Sequence, residues 1–441
     1  MLRPLQRLFT HTPIFLNSEI ASTQQKSQLS NGVKIISESK RFPNSVSLGI
    51  VLQVGIRNDP DGFIDLYKDI FLRSRSPIDQ KSYSTLELAG CDVNLVLDRE
   101  TIYFHTTCLE EHLEVVLPAL KQAIFYNKTR MDTVESLNRL KVYLEPEKND
   151  DKIKHMILTA AFKKLTLGVR HPKMEFGDLN FEKYCEFVDQ HFTAEKVTVA
   201  ACGIENHEGF REAVNKNFGL IPAGKIKNQP GVYQGGMLRE SLETGIMTYY
   251  SLGFKGAGFN DTDMPALTVL KAIIGEGGGF STGGPGKGMH SRAYTKILPH
   301  GFFESVKTSN FSFTDSGVFS VSLVGLEKYC EYFPYVIVKE IVDLLKIEQE
   351  ELDRAKNIIT REALINYQKT VSRLEDIAKN CAYFYQTPEE YGYFRKINEV
   401  RIEDIRQAVV KLLKSEFSVY CVTKESSKLP GLDEIYKKLG R

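Results

Sequence analysis

The sequence lacks an excess of charge of either sign, a long apolar run, any paired cysteine motif, and tryptophan altogether. Lys and Arg number 57 against 56 Asp and Glu, a formal net charge of +1. A nucleic-acid binder working by bulk charge is therefore excluded, because phosphate affinity needs clustered excess cation. No stretch reaches the ~18 consecutive apolar residues of a spanning helix, and the most apolar segments, such as Ser47–Ile56, are strand-sized. The seven cysteines, Cys91, Cys108, Cys185, Cys202, Cys330, Cys381 and Cys421, are odd in number, scattered, and never in Cys-x-x-Cys spacing. That argues against a disulfide framework or a structural zinc knuckle and for small buried hydrophobes in a reducing compartment. With 42% hydrophobic and 26% charged residues, global disorder is excluded too. The length of 441 residues points to two or three domains.

At the N-terminus, residues 1–28 carry Arg3, Arg7 and Lys26 against a single acid, Glu19. Leu2, Leu5, Leu8 and Phe9 fall on one side of a helix with Arg3 and Arg7 beside them, and the apolar core of a secretory signal is missing. This is the composition of a mitochondrial transit peptide, expected over residues 1–28. Beyond it, the pattern repeats. Strands are expected at Val46–Val54 and Ile102–Cys108, the second feeding a helix over His112–Phe125; further helices are expected near 132–144, 154–165 and 181–192, then a strand Val197–Cys202 and a helix near 208–217. The second half uses the same order: strand Tyr249–Gly253, a strand from Gly317 into a helix over Tyr332–Leu345, helix Ile402–Leu413, strand Phe417–Val422 and helix Leu432–Leu439. Ser251-Leu-Gly matches Ser47-Leu-Gly. Residues 221–241, rich in Gly, Pro, Lys, Asn and Gln, read as a linker between domains at 29–220 and 242–441. The expected fold is α+β: two similar domains, each a mostly antiparallel sheet covered by helices on one face.

Glycine is ordinary in total but not in placement, since eight of the fourteen residues from Gly275 to Gly288 are glycine. Phosphate-loop readings fail here. Gly286-Lys287 is followed by Gly288 where a Walker loop needs a hydroxyl, and Gly275-x-Gly277 is followed by Phe280 where a dinucleotide loop needs glycine. A flexible surface linker is one reading. The other is contact with an extended peptide through free backbone groups, since the segment is short, lies between two apolar helical stretches and contains Phe280, Pro285 and Lys287.

This segment resembles the glycine-rich loop of the α subunits of mitochondrial processing peptidases, in Gly283-Gly-Pro-Gly-Lys-Gly-Met289 and Ser291-Arg-x-Tyr294. Leu29-Ser-Asn-Gly32-Val, Phe42-Pro-Asn-Ser-Val-Ser-Leu-Gly49 and Gly55-Ile-Arg57 agree in outline. The wider family is that of the pitrilysin-like metallopeptidases, whose catalytic members bind zinc through His-x-x-Glu-His on one helix. At the corresponding place this chain reads Asp65-Leu-Tyr-Lys68-Asp69. Neither histidine ligand survives and a lysine replaces the carboxylate base. Glu145, placed to match the third ligand, cannot hold zinc alone. Cys108-Leu-Glu-Glu111-His112 mimics the motif, with His105 nearby, but His105 and Cys108 fall on a strand, so the ligands would not share a helix face.

The resemblance implies a chain without catalytic residues or bound metal, paired with a zinc-bearing β subunit in the mitochondrial matrix. It would bind presequence peptides through Gly275, Glu276, Gly277, Gly278, Gly279, Phe280, Gly283, Gly284, Pro285, Gly286, Lys287 and Gly288. A second reading is a purely structural, matrix-side core subunit of respiratory complex III, peripheral on the inner membrane. A third, an independent metallopeptidase, would show chelator-sensitive hydrolysis by the isolated chain.

Overall fold

The computed structural model describes residues 23–39, 44–73, 77–126, 149–169, 180–225, 229–241, 245–278, 289–387, 392–424, 428–438 and 440. Strands β1 (Gln24–Gln28), β2 (Lys34–Glu38), β3 (Ser45–Leu52), β4 (Asn94–Leu97), β5 (Ile102–Leu109) and β6 (Val197–Cys202) form a six-stranded sheet in the order β1-β2-β6-β3-β5-β4. The second sheet is built from β7 (Gly236–Ser241), β8 (Met247–Lys255), β9 (Gly277–Gly278), β10 (Phe303–Ser312), β11 (Gly317–Leu326) and β12 (Ser418–Thr423), in the order β7-β12-β8-β11-β10-β9. In each sheet one pair is parallel, β2 with β6 and β7 with β12, and the other pairs are antiparallel. Five strands therefore match one to one, β2-β6-β3-β5-β4 onto β7-β12-β8-β11-β10. The Ser-Leu-Gly echo is a structural equivalence as well. Ser47 on β3 meets the Thr107 hydroxyl of β5 at 2.9 Å, and Ser251 on β8 meets the Ser322 hydroxyl of β11 at 2.9 Å.

The first half contributes helices α1 (Phe63–Arg73), α2 (Pro77–Leu88), α3 (Leu113–Lys121), α4 (Asn149–Ala161), α5 (Phe181–His191) and α6 (His207–Phe218). In α1, Phe63, Ile64, Leu66, Tyr67, Ile70 and Phe71 are buried, a stripe of helical period. Its first turn is closed by Asp59, which accepts from the Gly62 and Ile64 amides at 3.0 and 2.7 Å. Asn180 and Asn206 do the same for α5 and α6. The second half contributes α7 (Met264–Ile274), α8 (Phe333–Asp343), α9 (Gln349–Tyr367), α10 (Thr370–Phe384), α11 (Gly392–Glu399), α12 (Ile402–Lys414) and α13 (Leu432–Lys438). No helix among the described residues is long and apolar enough to cross a membrane.

One feature departs from helices on a single face: each half lends a helix to the other. α10 lies on the far face of the first sheet, where Leu374, Ile377, Ala378, Cys381 and Ala382 pack on Ile36, Val51, Tyr103 and Ala200. α4 lies on the far face of the second sheet, with Ile157, Leu158 and Ala161, and Phe162 just past its end, in one cluster with Val318, Tyr420 and Val422. Both docked helices put a cation from their fourth residue on a strand glutamate. Arg373 meets Glu38 at 2.7 Å, fully buried, and Lys152 meets Glu240 at 2.5 Å, half-buried. The central strands are consequently covered on both sides, which is why β3, β6 and β12 are buried along nearly their whole length rather than at alternate residues.

Strand structure also reaches beyond the boundaries read from sequence. Gln24–Gln28 lies within the segment assigned to the transit peptide, yet it pairs with β2 residue by residue. Gly236–Ser241 lies within the assigned linker, yet it forms β7 beside β12. Both are polar outer strands, so neither carries an apolar signal. The expected helix near 132–144, and residues 1–22 of the transit peptide, fall outside the described residues.

Candidate functional site

Helix α7 delivers the chain to the glycine segment. It is apolar nearly all round, with Ala266, Leu267, Val269, Leu270, Ile273 and Ile274 buried, and ends at Gly275. Gly275 has φ +73°, and a Cβ there would lie 2.5 Å from Cβ of Ser291, so only glycine turns the chain at this point. Its carbonyl accepts from the Thr308 hydroxyl at 2.8 Å. Gly277 and Gly278 then form β9, the outer strand of the second sheet, opposite Val306 and Ser305. A Cβ on Gly277 would strike the Tyr294 ring, whose hydroxyl accepts from the Gly278 amide at 3.4 Å. The Ser291-Arg-x-Tyr294 motif thus has a structural reason: Ser291 and Tyr294 are the surface on which the glycines lie. Arg292 pins that surface through hydrogen bonds of 2.8 and 2.9 Å to Glu351 of α9, with Glu340 3.9 Å away. Burial opposes the charge on Glu351, but the guanidinium holds its carboxyl below the usual range.

Of the residues assigned to peptide contact, Gly275, Glu276, Gly277 and Gly278 are in place here, with Glu276 exposed. Gly279, Phe280, Gly283, Gly284, Pro285, Gly286, Lys287 and Gly288 lie outside the described residues. Alongside β9 opens a cleft of about 330 Å³. Its floor is the face of β10 and β11 that bears Ser305, Lys307, Ser309, Ser320 and Ser322, and its far wall is Ile153, Lys154 and Ile157 of α4. The site is therefore composite, one wall coming from the first half of the chain. Sequence pattern marks α4 as amphipathic but carries no sign of which sheet it covers. The alternating Ser305, Lys307 and Ser309 is the local sequence signal of a polar strand face.

The degenerate zinc motif lies on α1, with Asp65 half-buried, Lys68 exposed and Asp69 buried, so Asp65 and Asp69 are one helical turn apart on the same side. Glu145 lies outside the described residues. His105 and Cys108 are both on β5, three residues apart and so on opposite faces of the sheet. His105 stacks on Tyr103 on the α10 side, and Cys108 is buried in the first core, where burial pushes its thiol up to about 12. Glu111 and His112 follow on a short 3₁₀ turn. These groups do not converge. Among the described residues, no group of three or more His, Cys, Asp or Glu is placed to hold a metal ion.

Residues 34–172 match the family model described as Insulinase (Peptidase family M16), and residues 178–359 match Peptidase M16 inactive domain. The chain belongs to peptidase family M16. Within this family it is similar to the mitochondrial-processing peptidase subunit alpha of Caenorhabditis elegans, 26% identical across 93% of this chain and 87% of the relative. The subunit alpha of Solanum tuberosum is likewise 26% identical, across 94% of this chain and 85% of its own length. In fold, the M16 chain matches a chain of complex III2 from Candida albicans, solved with Inz-5 bound. The TM-score is 0.77 at 18% identity, covering 94% of this chain and 99% of that one.

Proposed function

We propose that this M16 chain is the non-catalytic, α-type subunit of a mitochondrial processing peptidase, and that it engages presequences while a zinc-bearing β subunit cleaves them. The observation that carries the reading is the pairing of an empty motif with a supported start to the glycine segment. Asp65-Leu-Tyr-Lys68-Asp69 stands on the helix where catalytic members place His-x-x-Glu-His, while Gly275 and Gly277, the first glycines of the segment, lie against Ser291 and Tyr294, with Arg292 anchored to Glu351 beside them. Two aspartates and a lysine neither hold zinc in the usual nitrogen-rich site nor activate its water, so any hydrolysis must come from the partner. At the loop, β9 has no side chains and is the outer strand of the second sheet among the described residues, a position that favours backbone approach by an extended segment, although the Gly278 amide itself is held by Tyr294. Such pairing reads backbone rather than side chains, which suits a receptor for presequences of varied sequence. The similarity to processing-peptidase α subunits supports a mitochondrial location and a heteromeric assembly. The test is deletion of Gly277–Gly286 in the reconstituted α–β pair. Presequence cleavage is expected to fall with the zinc site intact, and an unchanged kcat/KM overturns the assignment.

The fold likeness to a chain of a complex III2 structure favours a second reading, a matrix-side core subunit of respiratory complex III. Native-gel migration separates the two, since a core subunit runs with cytochrome b and a processing subunit runs as a heterodimer that includes a His-x-x-Glu-His chain.

A further inference from the structure

The turn after α4 is held in a conformation that its residues resist. Among the described residues, five non-glycine residues have positive φ. Three of them, Lys163 (+49°), Lys164 (+62°) and Thr166 (+45°), fall within four consecutive positions. In this left-handed region Cβ crowds the backbone, so glycine or asparagine is the usual occupant and a β-branched threonine is strained most. Anchors on both sides enforce the turn. Phe162 and Leu167 are fully buried, and the Lys164 and Leu165 amides donate to the Thr159 and Phe162 carbonyls at 3.2 and 3.0 Å. Arg99 donates to the Leu167 and Val169 carbonyls at 2.6 and 2.9 Å. The tip between these anchors faces outward. Lys163 and Lys164 are exposed and have no ion pair among the described residues, and Leu165 is 59% exposed. Residues 231–235 run beside the turn, since the Gln234 and Gly235 amides donate to the Ala161 carbonyl, and they add Val232, 58% exposed.

Folding alone favours glycine at positions 163 and 164. Lysine there, at a conformational cost and without an internal partner, points to a contact outside the chain. The side chains state its chemistry: two ammonium groups are followed at once by an aliphatic group, on an exposed tip rather than around a hollow. Such a tip suits a surface that admits an apolar group a short way and offers acidic oxygens around it, the arrangement of a bilayer interface carrying anionic phospholipid. No helix among the described residues is long and apolar enough to cross a membrane, so this contact is a peripheral one.

We infer that Lys163, Lys164 and Leu165, with Val232 beside them, dock the chain on a bilayer surface rich in anionic phospholipid. The ammonium groups meet lipid phosphates while Leu165 enters the headgroup layer. The inference is independent of which assembly the chain joins.

The test is co-sedimentation of the full chain with vesicles of phosphatidylcholine alone and of phosphatidylcholine mixed with phosphatidylglycerol. Binding is expected to the anionic vesicles only and to fall as salt rises. Combining Lys163→Gly with Lys164→Gly is expected to weaken it by about tenfold or more. The melting temperature of that variant is expected to hold or rise, because glycine accepts positive φ without strain, and this separates docking from a structural role. Leu165→Ser weakens binding at low and high salt alike. Lys183→Gln with Lys216→Gln removes the same charge from exposed sites on α5 and α6 and leaves binding unchanged. No binding by the native chain, equal binding to both vesicle types, or equal loss in the two double variants overturns the inference. A glycine variant that binds vesicles normally but no longer pairs with a partner subunit also overturns it, and makes the turn a protein contact. If the glycine variant fails to fold, Lys163→Gln with Lys164→Gln repeats the test.

Discussion

Arg57 shows how much one side chain carries at the junction of the halves. It follows β3, is buried, and reaches Glu100 at 2.5 Å, Asp315 at 2.9 Å and the Gln229 carbonyl at 2.6 Å. Glu100 also accepts from the Thr314 amide and hydroxyl, at 2.9 and 2.6 Å. The β4–β5 and β10–β11 turns, equivalent in the two halves, are thus held face to face by one cation and two acids. Removing the cation leaves Glu100 buried and uncompensated. Arg57→Leu is expected to cost about 3–5 kcal/mol by denaturant unfolding, while Glu100→Gln, which keeps shape and removes the charge, costs much less. The acids respond to pH in opposite senses. Burial raises the Glu100 carboxyl despite Arg57 and Thr314, so protonating it relieves the folded state. Burial also opposes charge on Asp315, but Arg57 and the Gly231 amide hold it below its usual range. A lowered folded pKa means that Asp315 stabilises the fold above its unfolded value of about 3.9, and that this contribution is lost as pH falls through the folded value. The stability deficit of Asp315→Asn is therefore expected at pH 7 and should shrink below about pH 4, measured by chemical unfolding across pH.

At the scale of elements, the exchanged helices depend on glycine where they approach the sheets. A Cβ on Gly49 would lie 3.2 Å from Leu374 of α10, and one on Gly253 would lie 3.2 Å from Ile157 of α4. These are the glycines of the two Ser-Leu-Gly echoes, so the repeat visible in sequence marks where each half receives the other's helix. Overfilling that space with Gly253→Val is expected to cost about 1–3 kcal/mol, with amide exchange rising first in α4. Truncating the knob instead, Leu374→Ala, is expected to cost about 2–5 kcal/mol, with faster exchange in α10. Elements with long apolar periodicity, such as β3, α7 and α12, were legible in sequence because burial wrote them. β1, β7 and β9 were not. The first reads Gln-Gln-Lys-Ser-Gln and the last is two glycines, and it is backbone pairing, not side-chain pattern, that makes them strands.

For the whole molecule, reciprocal exchange makes the halves interdependent. Neither half contains the helix that covers the far face of its own sheet, and Lys34 and Lys26 tie the end of α10 to the first sheet by bonds of 2.5 and 2.8 Å to the Ala382 and Tyr385 carbonyls. Residues 23–225 produced alone would expose Ile36, Val51, Tyr103 and Ala200, an apolar face of the kind that drives aggregation. The expectation is that each half is insoluble by itself and that co-production yields a soluble pair, checked by gel filtration; a monomeric, cooperatively melting half would contradict it.

The amino-acid sequence by itself determined the duplicated strand–helix order, the glycine segment and the loss of both histidines at Asp65 and Asp69, because local periodicity and residue chemistry are written position by position. Which sheet α4 and α10 cover, and so that a cleft stands beside β9 with a wall from the other half, was decided only by tertiary structure. The reason is that an apolar stripe such as that of α10 states that a surface must be covered, and not what covers it. Only the chain's closure, fixed by contacts such as Arg373 with Glu38 across 335 residues, chooses the partner.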